Sequence, residues 1–240
     1  MGHVELTLKG EDILTDSGRF IYRSSIWRDW REYFCSSLAH NTLFVDNHEM
    51  GAIPGVDRVR GVRSMCNEFT VNDEYSLVDM SHNAYCYLND PVFHRRKLIL
   101  LPQSVAIIAD FVQGEGEEDH DFRIMFNYER GKLDLVKEGA SFETLKGTKF
   151  SQVYSSSVDM TPSILSGSLE PKGGWISYGY PVKVPRPQLT LSYNGKAPFS
   201  FVTAIAPENT DVRIERNDDE YTIVMDGKKY LVTMEDVKAL

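Results

Sequence analysis

Apolar positions along this chain recur mostly with the period of a β-strand. Residues 4–8, 42–46, 122–126 and 212–216 alternate or form short apolar runs, with turn-forming residues between them. Residues 97–102 and 105–112 are more continuously apolar, the pattern of central strands covered on both faces. The clearest hairpin lies near the end of the chain, where 220–225 and 228–233 flank Asp226-Gly227. An Asp-Gly pair supplies the two positive φ angles that a type I′ turn needs. No window longer than a few residues sustains helical spacing, although 27–34 could form one or two turns. Pro185 and Pro187 would be excluded from a central strand, because proline lacks the ladder's N–H. The pattern predicts an antiparallel all-β fold, a β-sandwich of two large stacked sheets.

Length agrees with this. At 240 residues, one sandwich domain over 1–240 is the expectation, and such a chain buries a core without disulfides. Cys35, Cys66 and Cys86 cannot all pair internally, and their spacing matches no zinc or redox motif, so free buried thiols are expected.

Charge narrows the partners. The formal net charge of -9 argues against nucleic acid and against an anionic membrane surface. An anionic sugar polymer would also be repelled overall, so its site must be a local positive patch. Candidates are Arg28 and Arg31, then Arg58, Arg60 and Arg63, then Arg95, Arg96 and Lys97. No run approaches the roughly 20 apolar residues of a membrane span. The first residues show no signal peptide. There is no Gly-x-Ser-x-Gly elbow and no phosphate-cradling glycine loop. The acidic stretch 115–121 lacks the alternation of a calcium loop and reads as a solvated turn.

The most informative stretch is 30–46, Trp-Arg-Glu-Tyr-Phe-Cys-Ser-Ser-Leu-Ala-His-Asn-Thr-Leu-Phe-Val-Asp, which carries His40 from a polar loop onto the start of an apolar strand. Around it, in order, stand Leu14-Thr-Asp-Ser-Gly-Arg-Phe-Ile-Tyr22, Ser81-His-Asn-Ala-Tyr85, Val92-Phe-His-Arg-Arg96, Val105-Ala-Ile-Ile-Ala-Asp110, Gly114-Glu-Gly-Glu-Glu-Asp-His120, Gly174-Trp-Ile-Ser-Tyr-Gly-Tyr180 and Thr203-Ala-Ile-Ala-Pro207. This set resembles the carboxy-terminal half of the heparinase II/III-like polysaccharide lyases. The resemblance implies a β-sandwich, with a toroid of paired helices as the partner half, expected in cis if this chain is a truncated piece. It also implies β-elimination on a uronic-acid-containing polysaccharide, in the periplasm or outside the cell.

That reaction needs a group to neutralise the uronate carboxylate, a base for the C5 proton and an acid for O4. Histidine suits the first or second task, and the resemblance places a catalytic histidine at His40. Asn41, Arg31 and Arg96 are the expected substrate contacts. Family members carry a metal held by histidines and an aspartate; His94 occupies the matching landmark and Asp57 is the candidate carboxylate, a set suited to zinc or another divalent metal, with the third ligand open between His40 itself, His82 and His120. His82 and His120 read as hydrogen-bonded core residues, His48 as solvated, and His3 carries no signal. Tyr22, Trp27, Trp30 and Tyr33 read as packing before sugar stacking. Tyr85 and Tyr178 are candidate proton donors. The competing expectation is a non-catalytic carbohydrate-binding or structural β-sandwich module.

Overall fold

The computed structural model describes residues 1–22, 25–51 and 61–240. Its centre is an eight-stranded antiparallel sheet in the order Ser64–Val71, Ser76–Tyr85, Val92–Leu101, Val105–Gln113, Phe199–Pro207, Lys149–Ser156, Gly139–Thr144 and Gly131–Val136. Alternate residues of a strand face opposite sides of its sheet, and Val105–Gln113 shows the result. Ala106, Ile108 and Val112 enter one apolar core, while Val105, Ile107, Ala109 and Phe111 enter another. The continuous apolar run in the sequence is therefore a strand buried on both faces.

The first core is closed by a four-stranded sheet of Thr161–Ser166, Pro187–Gly195, His120–Asn127 and Leu43–Val45. Leu43, Val45, Phe122, Ile124, Phe126, Leu189 and Leu191 fill it. Fully burying one such side chain contributes about 1.5–3 kcal/mol. Those two sheets are the expected sandwich. A third layer covers the other face of the large sheet. It consists of Val212–Asn217, Glu220–Met225, Lys228–Val232 and Val237–Ala239, with Tyr221, Ile223, Met225, Tyr230 and Val232 pointing inward. The Asp226-Gly227 hairpin forms as expected, with Met225 opposite Lys228 and φ of 48° and 82° at the turn.

Two expectations are corrected. Pro187 opens Pro187–Gly195, which lies between two neighbours in its sheet; at a strand's first position the missing N–H is tolerated. The cysteines are free but not buried. Cys35 ends the outer side of the helix Arg28–Cys35, Cys66 sits on the edge strand Ser64–Val71, which is exposed along nearly its whole length, and Cys86 is half-buried.

Strand alternation also sorts the charged run 94–97. Arg95 and Lys97 turn to the third-layer side and share Asp79, at 2.8 Å and 3.1 Å. His94 and Arg96 turn to the other side, where Asp110 is the residue opposite Arg96 in the register. The expected basic patch at 95–97 is thus neutralised inside the fold, because each cation meets a carboxylate on a neighbouring strand. Arg58 and Arg60 lie outside the described residues.

Candidate active-site loop

Between the helix Arg28–Cys35 and the strand Leu43–Val45 the chain makes a single 3-10 turn, Ser37–Ala39, and then presents His40. Nearly every other residue of this loop is tied down. Ser37 donates its N–H and its hydroxyl to Glu49 Oε2, both at 2.8 Å. The Leu38 carbonyl accepts from Gln188 Nε2 at 2.6 Å, and the Ala39 carbonyl from the Ser17 hydroxyl. Asn41 Nδ2 donates to the Val4 carbonyl at 2.7 Å, and Asn41 Oδ1 accepts the Asn127 N–H at 2.5 Å. Thr42 Oγ1 donates to the Met1 carbonyl at 2.9 Å. Ala39, Asn41 and Thr42 are buried, whereas 30% of the His40 side chain is exposed.

His40 Nε2 lies 3.6 Å from Asp16 Oδ2, and the ring stands edge-on to His3 at 5.2 Å between centroids. Burial lowers the His40 pKa below the usual histidine value, and the Asp16 charge opposes that shift. His3, which carried no signal in the sequence, accepts the Asn41 N–H on Nδ1 at 3.0 Å. Only the fold brings positions 3, 16 and 40 together; no local pattern announces it. Arg186 is a second contributor the sequence did not mark. It is buried beneath the loop, where it donates to the Thr15 carbonyl at 3.0 Å and to the Ser17 hydroxyl, and burial lowers its pKa to about 10.

The expected substrate contacts divide. Arg31 sits on the helix beside the loop, half-buried, and its Nε donates to the Tyr22 carbonyl at 3.1 Å. Asn41 and Arg96 are 0% and 1% exposed, so neither side chain reaches the surface in this arrangement. Arg96 lies behind the loop, held to both oxygens of Asp110 at 2.7 Å and 3.1 Å, and donates through Nη1 to the carbonyls of Gly2 and Asn41. Tyr85 is also fully buried, donating to the Leu43 carbonyl at 3.1 Å, while Tyr178 is exposed and donates to the Glu129 carboxylate.

For a metal, the donor set was tested on its hydrogen bonds. Asp57 lies outside the described residues. His82 and His94 are paired across adjacent strands. The Ala84 N–H points at His82 Nδ1 at 3.3 Å, His82 Nε2 meets His94 Nδ1 at 3.1 Å, and His94 Nε2 meets Asp110 Oδ1 at 2.6 Å. Two neutral rings, each protonated on Nε2, satisfy this whole relay and leave no lone pair for an ion. Burial drives the His82 pKa down to about 2 and lowers that of His94 as well. Burial alone would raise the Asp110 carboxyl, but Arg96 and His94 outweigh it and hold it at about 2. Among the described residues, no three His, Cys, Asp or Glu side chains converge on a metal position. With Asp57 outside the described residues, His94 is the expected ligand in view, and both of its ring nitrogens are engaged in this relay. His120 has a different partner, Asp46, at 2.6 Å.

One cationic surface does flank the loop. Lys183 Nζ lies 4.1 Å from the Trp30 ring and 4.2 Å from the Trp175 ring, and Lys172 Nζ lies 4.8 Å from Trp30. Trp30 and Trp175 pack against the apolar cluster of Phe20, Ile21, Tyr33, Phe34 and Ala39, directly before His40.

With this geometry in place, comparison with known proteins defines the class. The sequence profile described as "Heparinase II/III-like, C-terminal" matches residues 1–224, and the chain belongs to that family. The heparan sulfate lyase HepC from Pedobacter heparinus has a similar fold: TM-score 0.75 at 18% identity, covering 96% of this chain and 36% of that one. A crystal structure of heparinase III gives a TM-score of 0.75 at 16% identity, covering 100% of this chain and 35% of that one. The chain thus spans little more than a third of the length of these structures. No curated protein sequence matches it.

Proposed function

We propose that this sandwich is the carboxy-terminal part of a polysaccharide lyase that cleaves a uronic-acid-containing polysaccharide by β-elimination. His40 is its contribution to the chemistry, and a helical half completes the cleft. The observation that carries the reading is the loop 37–42, in which nearly all neighbouring groups are fixed by hydrogen bonds while His40 alone among residues 39–42 is presented at the surface. Such positional control of one titratable group is what general acid–base chemistry requires. A lyase of this kind works in the periplasm or outside the cell, on an acidic polymer. The test is His40→Ala in a protein that carries this chain together with a helical half. Turnover, read from the ultraviolet absorbance of the unsaturated uronate product, is expected to be lost while the melting temperature stays within a few degrees; retained turnover removes His40 from the mechanism.

The second reading is a carbohydrate-binding module without catalysis, favoured by the Lys183 ammonium held between Trp30 and Trp175. Aromatic faces and cations at one surface suit an anionic sugar. Salt-sensitive binding of heparan sulfate oligosaccharides by this chain, with no turnover when a helical half is present, would favour that reading.

A further inference from the structure

The charge facing His40 decides which of its nitrogens carries the proton. Asp16 Oδ2 is 3.6 Å from His40 Nε2 and also 3.6 Å from His3 Nε2. The His3 tautomer follows from its neighbour: Nδ1 accepts the Asn41 N–H, so the proton of the neutral ring sits on Nε2 and faces Asp16. Burial, and then the charge of His40, lower the His3 pKa to about 4 and keep that ring neutral at pH 7.

For His40 the two neutral tautomers are unequal. Its Nδ1 is buried and makes no hydrogen bond. A proton there would be a buried donor without an acceptor, and the Nε2 lone pair would then face a carboxylate. Nδ1 is unpaired in either form, so the carboxylate decides: a proton on Nε2 replaces lone-pair repulsion with an N–H pointed at Asp16. At 3.6 Å the contact is longer than a hydrogen bond, so that N–H stays available to a ligand. The other charges bearing on His40 are the amino terminus, Glu49 and Arg186.

We infer that Asp16 is the positioning residue for His40, fixing its Nε2–H tautomer so that His40 meets the substrate as a proton donor and not as the base. This rests on the lyase reading. In β-elimination the C5–H bond breaks and its proton goes to a base; its electrons form the C4=C5 double bond, and the C4–O4 bond breaks as O4 takes up a proton. An Nε2–H serves the uronate carboxylate, by donating a hydrogen bond, or O4, by donating the proton. The C5 proton goes to a group elsewhere in the cleft.

The experiment is long-range 1H–15N correlation of the histidine rings in this chain, with His40 assigned by its absence in His40→Gln. At neutral pH, Nε2 is expected to be protonated and Nδ1 not. In Asp16→Asn the two His40 nitrogens should shift toward a tautomer average and the titration midpoint should fall; Asp16→Glu should restore part of both. Asn retains the oxygen that accepts the Gly18 N–H at 2.7 Å, so the turn is kept. A proton on Nδ1 in the unaltered chain, or an unchanged His40 titration in Asp16→Asn, overturns the inference. Neither signal depends on turnover. A protein with an Nε2–H His40 and no lyase activity discards the lyase reading alone, whereas an active lyase with the Nδ1–H form discards the role of Asp16.

Discussion

Arg96 Nη1 donates to the Asn41 carbonyl at 2.7 Å, across 55 positions of sequence, and so fastens the loop that presents His40 to the central sheet. The same guanidinium neutralises Asp110, which is fully buried. Arg96→Ala leaves that carboxylate uncompensated, and the expected destabilisation is about 3–5 kcal/mol. Urea unfolding monitored by tryptophan fluorescence measures it. A loss below about 1 kcal/mol would show that the pair does not hold the loop.

Asn41 is expected to behave as a structural residue. Asn41→Ala leaves the Val4 carbonyl and the Asn127 N–H without partners inside the fold, at about 1–3 kcal/mol each. The same unfolding experiment reads this. A variant as stable as the parent would free Asn41 for a part in substrate binding.

The pH dependence follows from four histidines. His3, His40, His82 and His94 all have pKa values lowered in the fold, chiefly by burial, with His3 at about 4 and His82 at about 2. Below pH 6.5 the unfolded chain takes up protons that the folded chain refuses, so stability is greatest above that pH and is lost as the pH falls. Asp110, held at about 2, acts in the same direction below pH 3.8. Melting temperature is expected to fall steadily from pH 7 to pH 4. A flat profile over that range would mean the imidazoles are paired differently.

On the carbohydrate-binding reading, Lys183→Gln should weaken binding of a heparan sulfate oligosaccharide probe to the chain several-fold and flatten its salt dependence, since one cation is removed from the indole surface. Isothermal titration at two ionic strengths reads both. Unchanged affinity would place the polymer elsewhere.

Thiol chemistry separates the cysteines. Cys35 and Cys66 are exposed and should react with an aromatic disulfide reagent in the folded chain, with the half-buried Cys86 slower. A single fast thiol would contradict the exposed edge strand.

The layers were legible in the sequence because they rest on short-range periodicity. The doubly apolar run at 105–112 and the Asp-Gly hairpin at 226–227 appear where the pattern put them. The third sheet was not foreseen, although three of its four strands were and Val237–Ala239 was not, since the pattern of a strand does not say which face of which sheet it covers. Position 40 was singled out by its motif, but its surroundings were not legible. His3, Asp16 and Arg186 meet there only through long-range packing, and nothing within a few residues of each marks the encounter. Arg96 is a related case: a basic residue beside a histidine reads as a substrate contact, and only strand alternation and the cross-strand Asp110 show that it faces the interior.

Sealing the middle of the eight-stranded sheet on both faces makes the composition of each layer depend on the next. A change on either face of Val105–Gln113 must be answered by the sheet packed against it, so the layers vary only in concert. The loop 37–42 carries the same obligation in polar form, since Gln188, Asn127 and Arg96 hold it to the layers, and His40 is the side chain it leaves exposed. A shared fold at 18% identity shows how far the sequence can change while the layers keep their partners.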